Sequence, residues 1–326
     1  MQGRELGRTG LRVSEIGFGC GAVGGLMIRG DAAEQVRAVA RAIELGITYF
    51  DTAASYGDGV SEQNLGRALK ELRADVRVAT KLQLGRRELA QGTPAVRALL
   101  DASLRRLGRE SVDVLYYHGR LGDAMDTGDR VLTAEEALGP LLEAFRDFQR
   151  QGLTRFVGFT GLGRTEAVRD AIQPGAFDAM QCYLNAVNPS AAYPMPDRFA
   201  PQNLGGMLTK AASVGMGVAA IRILAGGALS ATARHPLAGG SGALIGGTDL
   251  AADAQRAARL APLAGELGIS LAELGIRFAL STPGVSTALV GISAVEQVDF
   301  AVHAAAAGPL PGEAIQRIVA LHEDPA

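Results

Sequence analysis

The chain has 326 residues, 48% of them hydrophobic and 20% charged, with a formal net charge of −2. That length lies within the range of one α/β barrel, and the composition is that of a globular protein with apolar mass for a large core. No block of like charge marks a nucleic-acid or acidic-membrane surface, and two cysteines, Cys20 and Cys182, have neither metal-ligand spacing nor the number for a disulfide framework.

The opening MQGRELGRTG is polar and reads as no apolar leader. The longest apolar run, near 215–231, is broken by Arg222 and rich in glycine, so it is not read as a membrane span. The expectation is a cytoplasmic protein. Residues 4–7 and 11–13 flank GRTG and predict a small hairpin. Beyond it, short apolar runs alternate with helical stripes. Strands are predicted at 16–19, 47–50, 76–80, 112–117, 154–159, 177–182, 217–221 and 286–290; their mostly apolar character is that of strands buried on both faces. Asp31 and Glu34 signal a helix start, after which Val36, Val39 and Ile43 recur at helical spacing up to Gly46. Thr133 and Glu136 open another, which carries Leu138, Leu141, Leu142, Phe145 and Phe148 up to Gly152. Further stripes lie at 61–72, 94–107, 164–172, 202–213, 252–267 and 270–281.

This alternation implies parallel pairing through right-handed crossovers. The simplest closure is a (β/α)8 TIM barrel, with residues 1–326 as one domain. An open doubly wound sheet is the rival. It wants a glycine fingerprint leading straight into a helix, and GFGCGAVGG is a loose match with no helix until Asp31. Two long insertions, 119–132 and 222–250, are expected as loops at the C-terminal face.

In such a barrel the site forms at the C-terminal strand ends. The residues there are Asp51 with Tyr56 on its loop, Lys81, His118, Thr160 with Gly161, Gln181, Arg222 ahead of a glycine-rich loop, and Gly291 with Ser293. Each has an ordinary reading: Asp51 as a turn cap, Tyr56 as a packing residue, Lys81 as a solvated loop residue, His118 as a rim histidine, both cysteines as packing thiols. Together they form an acid–base set. A free phenol titrates near ~10. A neighbouring ammonium lowers that value, a carboxylate holds the ammonium, and an imidazole can hydrogen-bond a substrate oxygen. The set suits proton transfer to a carbonyl oxygen while a hydride arrives from another group. A barrel lyase or isomerase with Lys81 as a Schiff-base amine is a further reading.

The stretches GITYFDTAASYGDGVSEQNLGRAL, VATKLQ, VDVLYYHGR, QGLTRFVGFTG, DAMQCYLN and LVGISAVEQVDFAV, in this order, resemble the aldo-keto reductase family over nearly the whole chain. The resemblance implies a barrel that binds a nicotinamide cofactor in extended form, NADP by family habit with NAD possible. It implies a tetrad of Asp51, Tyr56, Lys81 and His118, with Tyr56 the general acid in reduction and the base in oxidation. It implies cofactor contacts from Gly19 and Cys20, from Thr160, Gly161 and Gln181, from Ile221, Arg222, Leu224, Gly227 and Leu229, and from Gly291, Ser293 and Gln297. Asn185 matches the asparagine of the motif after the sixth strand.

The sequence also departs from the family. Thr160 and Gly161 replace a Ser-Asn pair, and Ile221 stands where an aromatic ring often stacks on the nicotinamide. Ile292 and Ser293 stand where a basic residue pairs with a 2′-phosphate, and Phe300 and Ala301 replace Glu-Asn. The implied partner is a small carbonyl or alcohol: an aldehyde, a ketone or a sugar lactol/lactone pair. Met27, Tyr117, Arg120 and Phe199 are candidates for the pocket wall. A second implied role is a cofactor-binding regulatory subunit with slow turnover. Oligomeric state is not legible.

Overall fold

Eight parallel strands close into a barrel in the computed structural model, which describes residues 1–126, 128, 130–230, 235–239 and 250–322. They are β1 (Ile16–Gly19), β2 (Tyr49–Asp51), β3 (Arg77–Leu82), β4 (Val112–Tyr117), β5 (Thr154–Thr160), β6 (Ala179–Tyr183), β7 (Gly217–Ile221) and β8 (Val285–Gly291). Each pairs with its sequence neighbours, and β8 returns to β1 with Ala288 opposite Ile16 and Gly291 opposite Gly19. That last ladder excludes the open sheet. Helices cover the outside, among them Ala32–Glu44, Val60–Glu71, Thr93–Leu107, Thr165–Ile172 and Leu271–Ser281.

Local signals set some of the helix starts. The Asp31 carboxylate accepts from the Glu34 N–H at 2.8 Å. Thr133 and Glu136 form the reciprocal box, each side chain accepting from the other's N–H, at 3.1 and 2.7 Å. Other expectations shift where proline or glycine interrupts. The segment opened by Thr133 passes through a π turn at Ala137–Leu141 before Leu142–Arg150, because Pro140 has no N–H for the ladder. The 252–267 stripe is two helices, Leu250–Ala258 and Ala261–Glu266, the second with Pro262 in its first turn. The 202–213 stripe becomes helical only at Met207, after Gly205 and Gly206, both at positive φ. The 119–132 insertion pairs Arg120–Leu121 with Val131–Leu132. In the 222–250 insertion, 231–234 and 240–249 lie outside the described residues.

The predicted N-terminal hairpin pairs Gly3–Glu5 with Arg12–Ser14 and closes the lower mouth of the barrel. Its Leu6, Leu11 and Val13 pack on an inner layer of Tyr49, Tyr116, Ala79 and Val114. Gly7 is required at the tip: its φ is 54°, and a Cβ there would stand 2.3 Å from the Gly217 nitrogen. The other strand face meets the helices, with Phe18 and Phe50 stacked at 5.3 Å. Among the described residues no helix is long and apolar enough to cross a membrane.

Candidate active site

Strand alternation builds the site. Successive side chains point to opposite faces of a strand. On β2, Tyr49 belongs to the inner cluster and Phe50 to the outer one, so Asp51 faces inward again. The same two-residue step puts Lys81 above Ala79, Gln181 above Ala179 and His118 above Tyr116. An apolar floor, where the Tyr49 and Tyr116 hydroxyls meet at 3.1 Å, thus carries a polar layer at the C-terminal rim.

Lys81 is fully buried, and its three ammonium protons have three acceptors: Asp51 Oδ1 at 2.5 Å, the Thr52 carbonyl at 2.7 Å and Tyr56 Oη at 3.2 Å. The second Asp51 oxygen accepts from Gln181 Nε2 at 2.5 Å. Tyr56 Oη accepts from Lys81, so its own proton is left to point away from the ammonium. The His118 ring stands edge-on to Tyr56, centroids 5.6 Å apart and planes at 88°. Its Nδ1 lies 3.2 Å from Ser55 Oγ.

The charges follow from burial and neighbours. Burial raises Asp51, while Lys81 and Gln181 hold it down. Both carboxylate oxygens meet donors, which is the arrangement of an ionised group. Burial lowers Lys81, but Asp51 and Tyr56 outweigh it and the ammonium lies above its ordinary value. Withdrawal from water raises Tyr56 above the ordinary phenol range, with Lys81 opposing. The lowered phenol expected from the Lys81 neighbour is therefore reversed in net direction: the ammonium acts as expected, and desolvation exceeds it. His118 is pulled down to about 3 by desolvation, then by Lys81 and Arg130, and is neutral at ordinary pH.

A cavity of about 560 Å³ opens above this layer. Asp51, Tyr56 and His118 line it, with Gly19, Thr160, Gln181 and Ile221 around them. Arg222, Leu224 and Gly227 line it from the loop after β7, and Gly291, Ser293 and Gln297 from the segment after β8. Three expected cofactor residues stand outside it. Cys20 is buried, its N–H donating to the Asp51 carbonyl and its carbonyl accepting from Ser61 Oγ. Leu229 is fully buried. Gly161 donates to the Gln181 carbonyl at 2.8 Å, and Met180 Cε lies 2.5 Å from where a Cβ would be, so an asparagine does not fit without movement.

The expected pocket-wall residues are also elsewhere. Met27 and Tyr117 pack in the outer core, because alternation on β4 turns Tyr117 away from the interior. Arg120 is exposed on the small ribbon, and Phe199 sits edge-on to His322 at 5.7 Å. Asn185 does not line the cavity; it ties two loops together, its amide donating to the Arg222 carbonyl at 3.0 Å. Beyond β8, the Ser293 hydroxyl donates to the Gly24 carbonyl at 2.6 Å and its N–H to Gln297 Oε1 at 2.7 Å. Both Ser293 protons are engaged, which leaves the Gln297 amide N–H2 as the donor here, beside the part-exposed ring of Phe300. Sequence reasoning missed Ser55, Leu162 and the start of helix Leu271–Ser281, which contributes Ser270, Ala272 and Ile276 to the wall. The Ser270…Glu273 cap marks that helix start, but nothing local places it at the rim.

A family model described as "Aldo/keto reductase family" matches residues 15–323. L-galactose dehydrogenase of Arabidopsis thaliana is 31% identical over 310 residues, covering 91% of this chain and 85% of that one. A probable voltage-gated potassium channel subunit beta of the same plant is 27% identical over 322 residues, covering 91% and 89%. The holo form of aldo-keto reductase AKR11C1 from Bacillus halodurans aligns with a TM-score of 0.71 at 25% identity, over 99% of this chain and 97% of that one. The chain belongs to the aldo/keto reductase family.

Proposed function

We propose that this protein interconverts a carbonyl and an alcohol with a nicotinamide cofactor, NADP(H) first and NAD(H) second, with Tyr56 as the acid–base group. One observation carries the reading: the buried Asp51–Lys81 pair ends on the Tyr56 hydroxyl at the wall of a ligand-sized cavity.

The walls suit a dinucleotide. Backbone at Gly19, Gly24 and Gly291 lines the cavity without side chains, and a Cβ on Gly24 would stand 2.3 Å from the Ile292 nitrogen. Gln181 and Thr160 would hold the nicotinamide end with Ile221 packing on the ring. The loop from Arg222 to Gly227 would take the diphosphate, and Gln297 with Phe300 the adenosine. The cofactor, when bound, supplies a hydride to the carbonyl carbon or takes one from the alcohol carbon.

The chain's own residues move the proton. In reduction Tyr56 gives its hydroxyl proton to the carbonyl oxygen, and the phenolate left behind is held by the Lys81 ammonium. Asp51 keeps that ammonium charged and aimed. In oxidation the phenolate takes the alcohol proton back. Neutral His118 hydrogen-bonds the same oxygen. The relative named L-galactose dehydrogenase supports a sugar as substrate, a lactol oxidised to a lactone.

The channel-subunit relative favours a second reading, a cofactor-binding subunit with slow turnover. Tyr56→Phe tests the first. It should lower kcat on an aldose or aldehyde by about 10²–10⁴-fold and leave cofactor affinity within about twofold. An unchanged rate in Tyr56→Phe would remove Tyr56 from the mechanism. Bound cofactor with negligible wild-type turnover across sugars, aldehydes and ketones would favour the second reading.

A further inference from the structure

We infer that Ser55 is a positioning residue: its hydroxyl donates to His118 Nδ1 and so holds the histidine as the tautomer protonated on Nε2, the one that donates to the substrate oxygen. The inference rests on the carbonyl–alcohol reading above and gives a role to a residue that belongs neither to the tetrad nor to the cavity lining.

A neutral imidazole carries one N–H on two nitrogens, and the partner of one nitrogen decides which keeps the proton. His118 is in that neutral state, with the Lys81 ammonium opposing a second proton. Among the described residues the ring has one hydrogen-bond partner, Ser55 Oγ at 3.2 Å from Nδ1. The ring also lines the cavity, so Nε2 is the nitrogen left for a ligand. If Nε2 lacked its proton, it would turn a lone pair toward the lone pairs of the oxygen that Tyr56 protonates. A hydroxyl donated to Nδ1 avoids this.

Ser55 is well placed for the task. It lies in the turn closed by the Tyr56 N–H on the Ala53 carbonyl at 3.1 Å. That turn is tied to β3 by Thr52 N–H to the Ala79 carbonyl at 2.9 Å and Ala54 N–H to the Lys81 carbonyl at 3.3 Å. The turn that presents the phenol therefore also orients the imidazole facing it.

The test is ¹⁵N NMR of the full chain with selectively labelled histidine, without substrate and at neutral pH, with the His118 signals assigned through His118→Gln. Wild type should show Nε2 protonated. Ser55→Ala should move population to the Nδ1-protonated form, and Ser55→Thr should restore the wild-type spectrum. In turnover, Ser55→Ala should lower kcat about five- to tenfold, the worth of one hydrogen bond, with cofactor affinity unchanged. In a His118→Gln background it should cost nothing further. A wild-type Nδ1-protonated ring, a tautomer indifferent to Ser55→Ala, or an equal loss in the His118→Gln background overturns the inference. The spectrum needs no turnover, so failure of the carbonyl–alcohol reading would be seen separately, as absent activity in wild type.

Discussion

Lys81 shows how one residue can be both a stability problem and a functional device. An ammonium with no exposed surface persists because each of its three protons meets an oxygen. Removing it leaves Asp51 buried, with one amide donor from Gln181 and no counter-charge. Lys81→Met should therefore cost about 3–5 kcal/mol in urea unfolding, as for other broken buried pairs. Asp51→Asn in the same chain should return more than half of that loss, since the uncompensated charge is then gone. If Lys81→Met unfolds at the wild-type midpoint, the two groups are not an ion pair. At this scale the rim residues were legible in sequence because each stands at or just past the C-terminal end of an apolar run. The direction in which Tyr56 shifts was not, because it depends on desolvation by residues distant in the chain.

Among the elements, the N-terminal hairpin supports the site from the far end of the barrel. Leu6, at 0% exposure, fills the lower mouth beneath the tyrosine pair, while the cavity lies above the opposite strand ends. Leu6→Ala should lower stability by about 2–5 kcal/mol, as large-to-small core changes do. Cofactor affinity should stay within about twofold, because the plug fills the end of the barrel opposite the polar layer and shares with the cavity lining only its apolar floor, at Leu289 and Ile221. A matched loss of affinity would show that the two ends of the barrel are coupled. The hairpin and all eight strands were readable because turn signals and short apolar runs, buried on both faces, are local. The π turn at Ala137–Leu141 and the split near Leu260 also had local signals, Pro140 and Pro262, but the apolar stripes run straight through both. A stripe reports which side is buried, not whether the helix is continuous. What no stripe or motif reports is which side chains meet over the rim. Cys20, Gly161 and Leu229 sit in the expected stretches yet outside the cavity, because neighbours already occupy their hydrogen bonds or their space.

At the scale of the whole molecule, a ligand that binds only the closed barrel must stabilise it by mass action. A nucleotide lying across the rim would touch loops after β1, β5, β7 and β8 together, so local opening of any of them would have to release it. At a hundred times its Kd such a ligand adds about 2.7 kcal/mol. With a shift of roughly 2 °C per kcal/mol for a chain of this size, the melting midpoint should rise by about 5 °C. The comparison between NADPH and NADH at equal concentration then reads the adenosine end directly. Ser293, which stands where the resemblance puts a basic residue, has both protons engaged, and Gln297 and Phe300 offer an amide and a ring. A 2′-phosphate can gain a cation only from elsewhere on the rim, with Arg222 the one that lines the cavity among the described residues. A larger rise with NADPH that Arg222→Met abolishes would assign the phosphate to that arginine. Equal rises with both nucleotides, unmoved by Arg222→Met, would mean that the 2′ position stays in solvent. No rise with either would remove the dinucleotide from the cavity and leave the Asp51–Lys81–Tyr56 line to be explained by another proton-transfer reaction.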